Sequence, residues 1–83
     1  MLITKNDMKA SVSCVLEQIQ GMKIPAGTKV KRGAYDWNND TFFIDDFSWL
    51  SEELRDNKGF MWDIGNYGIN VPDNNVIEVD SQN

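Results

Sequence analysis

The chain has 83 residues, a net charge of −5, one cysteine and no histidine. A chain of this length forms one domain, residues 1–83, and buries only about 60% of the surface that its unfolded form exposes. The lack of histidine excludes the commonest general base and most zinc sites, and a single cysteine excludes an intramolecular disulfide. Because the sequence shows neither a signal peptide nor an apolar run long enough for a membrane span, it predicts a cytoplasmic protein that does not contact a membrane.

The charges are distributed unevenly along the chain. Residues 1–32 carry six bases against two acids, a balance of +4, whereas residues 33–83 carry two bases against eleven acids, a balance of −9. Contacts with phosphate need lysine and arginine, so we expect no direct binding of nucleic acid. An acidic surface of this kind is suited to a basic protein, because complementary charge speeds their encounter.

The first predicted element is an amphipathic helix that begins at Thr4 and ends before Gly21. Thr4 is suited to be its N-cap, with Asp7 three residues on at the position of a capping box. The alternation of apolar residues over 12–16 leaves a strand as the competing interpretation. The helix is favoured because five apolar residues recur at helical spacing: Met8, Val12, Val15, Leu16 and Ile19.

A turn and two strands are predicted next. Pro25 and Gly27 break the helix, and the alternation over residues 28–32 predicts a strand. Residues 38–40 are turn formers at the tip of a hairpin. Residues 41–44 are strand formers and predict the second strand of that hairpin.

The C-terminal half is predicted to hold one short helix and three strands. Ser48 is suited to cap the helix, which has acids near its start, bases near its end and Gly59 as its stop. Residues 60–64 and 67–71 then alternate as two strands joined by a tight turn. A last short strand is predicted for residues 76–79.

Together these elements predict an α+β fold. An N-terminal helix packs on a small antiparallel sheet of four to five strands, with a short inserted helix. The stretches VLEQIQGMKIPAGTKVKRG (15–33) and INVPDNNVIEV (69–79) resemble the first and last strands of small SH3-like proteins. This resemblance implies an SH3-like β-barrel as the alternative fold.

Motifs that carry chemistry are few. Residues 36–40, DWNND, match the start of a calcium loop, but Thr41 and Phe47 stand where glycine and glutamate are needed. Asp45 and Asp46 are adjacent, so within a strand they point to opposite faces and do not converge as a catalytic pair. No glycine-rich phosphate loop is present in the sequence. We therefore expect a protein that is not an enzyme and that uses no metal or cofactor.

The stretch AYDWNNDTFFIDDFSWL, residues 34–50, combines six aromatic rings with four aspartates and no base. Alternation predicts that one set of side chains forms the core: Phe42, Ile44, Trp49, Leu54, Phe60, Trp62 and Ile64. The remaining rings are expected to be exposed among acids, where tryptophan and tyrosine are enriched at binding hot spots. The predicted partner-binding residues are Tyr35, Asp36, Trp37, Asp40, Phe43, Asp45, Asp46 and Tyr67.

In size, acidity, lack of histidine and lack of a catalytic motif, the chain resembles the small accessory proteins of bacteriophages, among them anti-restriction and anti-CRISPR inhibitors. The resemblance implies a non-catalytic inhibitor in the host cytoplasm that docks on a basic, nucleic-acid-binding protein. In its extreme form such an inhibitor is a DNA mimic, with carboxylates where phosphates would stand. The alternative is a small structural subunit whose rings and strand edges pair in a larger assembly or a homodimer.

Overall fold

The computed structural model of the protein describes residues 1–12, 14–33 and 41–80, which form an α+β fold. The described strands are β1 (Leu2–Thr4), β2 (Met8–Lys9), β3 (Lys23–Ile24), β4 (Val30–Arg32), β5 (Phe42–Ile44), β6 (Asn70–Val71) and β7 (Val76–Glu78). The described α-helices are α1 (Glu52–Arg55) and α2 (Lys58–Tyr67), and short 3₁₀ segments cover Cys14–Ile19 and Asp73–Asn75.

The described strands pair antiparallel in three small sheets: β1–β7, β2–β3 and β4–β5–β6. A bridge between Ile3 and Lys29 places β1 beside the residue that precedes β4. The α+β class is thus confirmed. Each sheet holds two or three strands, and the strands of the described residues do not close into a barrel.

The predicted N-terminal helix is wrong over most of its length, because Thr4 belongs to a strand. Its backbone N–H donates to the carbonyl of Thr28 at 2.9 Å. Its hydroxyl donates to the Pro25 carbonyl at 3.0 Å and accepts the Thr28 N–H at 3.1 Å. These bonds satisfy the groups that a helix N-cap would have used. Among the described residues of this stretch, helical turns appear only over Cys14–Ile19, as 3₁₀ structure.

The helices of the C-terminal half begin at caps other than the expected Ser48. The side chain of Ser51 accepts the N–H of Leu54 at 3.3 Å and starts α1. The side chain of Asn57 accepts the N–H of Phe60 at 3.0 Å and starts α2. The predicted strand over residues 60–64 and the turn after it are therefore wrong, since both lie within α2.

The core lies between the helices and one face of the sheets. Val30 of β4 and Ile44 of β5 share a buried cluster with Phe60 and Ile64 of α2. α2 therefore contributes to the same core as the three-stranded sheet, and it packs mainly against α1 and the 3₁₀ segment Cys14–Ile19. The rest of the cluster is Ala10, Leu16, Ile19, Ile24, Leu50, Ile69 and Val71.

Candidate protein-interaction surface

The structure divides the predicted partner-binding residues into two groups. Four of them lie outside the described residues: Tyr35, Asp36, Trp37 and Asp40. Four others are described and lie on β5, just after it, or at the end of α2: Phe43, Asp45, Asp46 and Tyr67.

Phe43 was expected to be exposed, and it is only 7% exposed. It lies on the face of β5 opposite to Ile44, as strand alternation requires, but that side of the strand is crowded at this point. The cross-strand partners Lys31 and Asn70 share its face, and its ring lies against the backbone of Gly68. Phe43 is therefore removed from the accessible partner surface.

Asp45 and Tyr67 lie near each other, because the ladder between β5 and β6 continues past its last paired residues. The N–H of Ile44 donates to the Ile69 carbonyl at 2.9 Å. One further antiparallel step places Asp45 opposite Gly68, which directly follows Tyr67. Tyr67 is 54% exposed, and the Asp45 carboxylate is also exposed, 4.0 Å from the Lys31 ammonium.

Asp46 has a local structural role. Its carboxylate accepts the N–H of Ser48 at 3.1 Å and the Ser48 hydroxyl at 3.2 Å. Its carbonyl accepts the indole N–H of the half-buried Trp49 at 2.6 Å. These bonds shape the turn that leads from β5 towards α1, so Asp46 presents only part of its charge to a partner.

Trp62 is the most exposed of the described large hydrophobic side chains, at 69%, although alternation predicted it in the core. In a strand, residues 60, 62 and 64 share one face, whereas in a helix each residue advances by about 100°. Phe60 and Ile64 are both buried, and each lies about 200° from Trp62 around the α2 axis. The indole of Trp62 therefore points directly away from the core.

Little side-chain bulk surrounds Trp62 on α2. Gly59 and Gly65 lie three residues before and after it, where the nearest side chains of a helical face would stand. Lys58 and Asn66 lie four residues away on either side, and the Asn66 amide donates to the Trp62 carbonyl at 2.8 Å. The indole is thus accessible from both sides along the helix.

Carboxylates are frequent in the sequence around this tryptophan. Glu52 and Glu53 are exposed in the first turn of α1, and Asp56 ends that helix one residue before the Asn57 cap of α2. Over residues 45–67 the chain carries six carboxylates against two bases, a balance of −4. We call these exposed residues of α1 and α2, Trp62, Glu52, Glu53 and Asp56, the helical surface.

A second feature is an open groove of about 540 Å³ between β2 and β6. Its walls include Met8, Thr41 and Asn70, with Lys9 and Asp73 supplying opposite charges. Among the described residues, Lys9 and Asp73 are the only charged ones that line the groove, and they form neither a nucleophile–base pair nor a carboxylate pair. The described ranges also contain no group of three His, Cys, Asp or Glu residues placed to hold a metal ion. Residues 36–40, which match only the start of a calcium loop, lie outside these ranges.

None of the described helices is both long and apolar enough to cross a membrane. In the comparisons with known proteins, no family model, no curated protein and no solved structure matches the chain.

Proposed function

We propose that the protein is a non-catalytic binding protein that docks its helical surface on a basic partner protein. The observation that carries this proposal is the 69% exposure of Trp62 on the side of α2 opposite the buried Phe60 and Ile64. A tryptophan in this position adds nothing to the packing of its own core. Tryptophan is enriched among interface residues whose truncation to alanine costs about 2 kcal/mol or more of binding free energy.

The charge around Trp62 defines the chemistry of the partner. Residues 45–67 carry the balance of −4, and Glu52 and Glu53 stand exposed at the start of α1. A partner with an apolar pocket rimmed by lysine or arginine complements both features. Complementary charge mainly raises the association rate and sets partner choice, and it makes binding sensitive to salt.

Proteins that bind nucleic acids have basic surfaces of this kind, because they contact phosphates. The proposed biological role is that of a phage-type inhibitor, anti-restriction or anti-CRISPR, acting in the host cytoplasm. Carboxylates of the helical surface would then take the place of phosphates. Four further residues stay candidates for the same contact: Tyr35, Asp36, Trp37 and Asp40.

A second candidate function is that of a small structural subunit. It is favoured by Ile77, a large apolar side chain that is 37% exposed on β7, far from α2 in the sequence. Exposed apolar side chains on a short edge strand suit an assembly contact.

A paired affinity experiment tests the proposed function. The wild-type chain, Trp62→Ala and the control Ile77→Thr are each used as bait in bacterial lysate at low and at high salt. We expect the wild type and Ile77→Thr to retain a basic protein at low salt, and Trp62→Ala to lose it. Equal retention by all three baits, or retention that survives high salt unchanged, would contradict the proposal.

A further inference from the structure

The sheet β1–β7 has one face on the core and one open face. Thr4 is fully buried and its cross-strand partner Val76 packs against the core. Since successive side chains alternate between faces, the next cross-strand pair, Ile3 and Ile77, points the other way. Ile3 is half-buried and Ile77 is exposed. The N–H of Val79 donates to the Met1 carbonyl at 2.9 Å, so the same alternation adds two apolar side chains to this face: Met1 and Val79.

Lysines border these apolar side chains. Lys29 is the bridge partner of Ile3, so the two side chains share a face. Lys31 follows two residues later on the same side of β4. Both lysines are exposed, and within the described part of the chain Lys29 has no ion pair, while Lys31 lies 4.0 Å from Asp45. We call Ile3, Ile77, Met1, Val79, Lys29 and Lys31 the open sheet face.

The open sheet face and the helical surface belong to different elements. Phe60 and Ile64 of α2 and Val30 and Ile44 of the sheet are members of one buried cluster. Ile3 and Lys29 point away from that core on the sheet, and Trp62 points away from it on α2. Among the described residues, the four most exposed large hydrophobics are Met1 and Ile77 on the sheet and Trp62 and Tyr67 on α2.

We propose that the helical surface of one copy docks on the open sheet face of a second copy. Trp62 would cover the Ile3–Ile77 pair, and the carboxylates of α1 would lie near Lys29. Each side supplies what the other lacks, since one is apolar and basic and the other is aromatic and acidic.

Charge decides in favour of this head-to-tail arrangement over a symmetric one. The open sheet face carries two lysines, Lys29 and Lys31. The helical surface carries three carboxylates: Glu52, Glu53 and Asp56. A two-fold contact between two helical surfaces, or between two open sheet faces, would place like charges opposite each other, which costs free energy. The head-to-tail contact pairs opposite charges.

A contact between two different surfaces leaves one unpaired copy of each surface at the ends of the assembly, so further copies can bind there. It leads to a ring if the rotation between copies closes, and to a filament if it does not. The contact also covers Trp62, so self-association and binding of a basic partner exclude each other. The inference does not depend on the proposed function, but it supplies a means by which concentration would regulate the same surface.

Sedimentation equilibrium of the purified chain tests the self-association. From about 10 µM to about 1 mM, the range in which small interfaces associate, we expect the weight-average mass of the wild type to rise with concentration. High salt should reduce this rise. The variants Trp62→Ala and Ile77→Glu should each stay monomeric, with circular dichroism showing that both are folded.

Mixing the two variants distinguishes the head-to-tail contact from a symmetric one. Trp62→Ala keeps an intact open sheet face, and Ile77→Glu keeps an intact helical surface. An equimolar mixture should therefore form a one-to-one heterodimer and nothing larger. A symmetric interface would not be restored by mixing. A wild type that stays monomeric over the whole range, or a mixture that stays monomeric, would overturn the inference.

Charge reversal supplies a test that does not alter an apolar residue. Lys29→Glu places a carboxylate on the open sheet face and should weaken association by about tenfold or more. Lys9→Glu, the matched change of an exposed lysine in the sheet β2–β3, should leave association unchanged. If both changes weakened association equally, the cause would be the net charge of the chain and not a contact at Lys29. That result would overturn the inference. Capture of a basic partner by a strictly monomeric chain would uphold the proposed function while refuting self-association.

Discussion

The backbone of Gly68 lies directly against the ring of Phe43. A Cβ atom at position 68 would stand 2.9 Å from Cδ1 and 3.2 Å from Cε1 of that ring. Gly68 has φ 73° and ψ 169°, and its N–H donates to the Ile64 carbonyl at 2.9 Å. The contact joins the end of α2 to β5, and it places the exposed Tyr67 beside Asp45.

Gly68→Ala should destabilise the protein for two reasons. The backbone conformation at this position is one that glycine adopts almost exclusively, and it costs other residues about 1–3 kcal/mol. The added methyl group also collides with a buried ring. Gly21 has φ 80° with open space around it, so Gly21→Ala carries only the conformational cost, and Gly65→Ala, in the interior of α2, should be neutral or stabilising by about 1 kcal/mol. Urea unfolding of the three variants gives this ranking, and a Gly68→Ala variant no less stable than Gly21→Ala would contradict the ring contact.

Trp62→Ala should leave the free energy of unfolding nearly unchanged. The indole is largely in water, and alanine has a higher helix propensity than tryptophan. Phe60→Ala, two residues earlier on the buried side of α2, should cost about 3–5 kcal/mol. Thermal unfolding followed by circular dichroism compares the pair, and a large loss of stability for Trp62→Ala would place the indole in the core.

Ser51→Ala should cost about 0.5–2 kcal/mol, because it removes the side-chain acceptor at the N-terminus of α1. Asn57→Ala should cost a similar amount at the start of α2. Ser48→Ala is the matched control, since its exposed hydroxyl bonds only to Asp46 among the described residues. Denaturant unfolding distinguishes these caps, and a Ser48→Ala variant as destabilised as Ser51→Ala would restore the cap predicted from the sequence.

The pKa of Asp7 should lie below its ordinary value of 3.8. The main cause is the N–H of Ala26, which donates to its carboxylate at 2.8 Å, and the second is the Lys23 ammonium at 3.2 Å. A carboxyl group whose folded pKa is lowered stabilises the fold above its unfolded pKa, and that contribution is lost as the pH falls through the folded pKa.

Carboxyl-carbon NMR titration measures this pKa directly. Lys23→Ala should raise the pKa of Asp7 only part of the way, since the stronger bond from Ala26 remains. Because Asp7 is exposed, the effect on stability should be small and confined to acidic pH. A pKa of Asp7 at or above 3.8 in the wild type would contradict the pairing.

The sequence predicted the strands that depend on local pattern. β4, β5 and β7 lie where alternation and β-branched or aromatic residues placed them. The prediction of an N-terminal helix was wrong because Thr4 forms hydrogen bonds with Pro25 and Thr28, more than twenty residues away. The local spacing of apolar residues does not indicate that pairing. Part of the apolar periodicity was nevertheless real, since Leu16 and Ile19 are buried three residues apart in 3₁₀ structure.

The most accessible ring of the described residues was assigned to the wrong face for a reason that the sequence partly contained. Phe60, Trp62 and Ile64 alternate as a strand does, but Phe60 and Ile64 also have helical spacing. Asn57, three residues before Phe60, is a good N-cap, and that signal would have favoured α2 and turned Trp62 outwards. The burial of Phe43 could not be predicted in this way, because it depends on the contact between its ring and Gly68, which is distant in the sequence.

A calorimetric titration of the captured partner measures how much Trp62 contributes to the binding of a basic protein. The wild type and Trp62→Ala are titrated at the same two salt concentrations, with Ile77→Thr as control. We predict that Trp62→Ala binds about thirtyfold more weakly or worse, as loss of a hot spot of about 2 kcal/mol requires, while Ile77→Thr binds as the wild type does. A Trp62→Ala variant with wild-type affinity would contradict the account and move the binding site away from the helical surface.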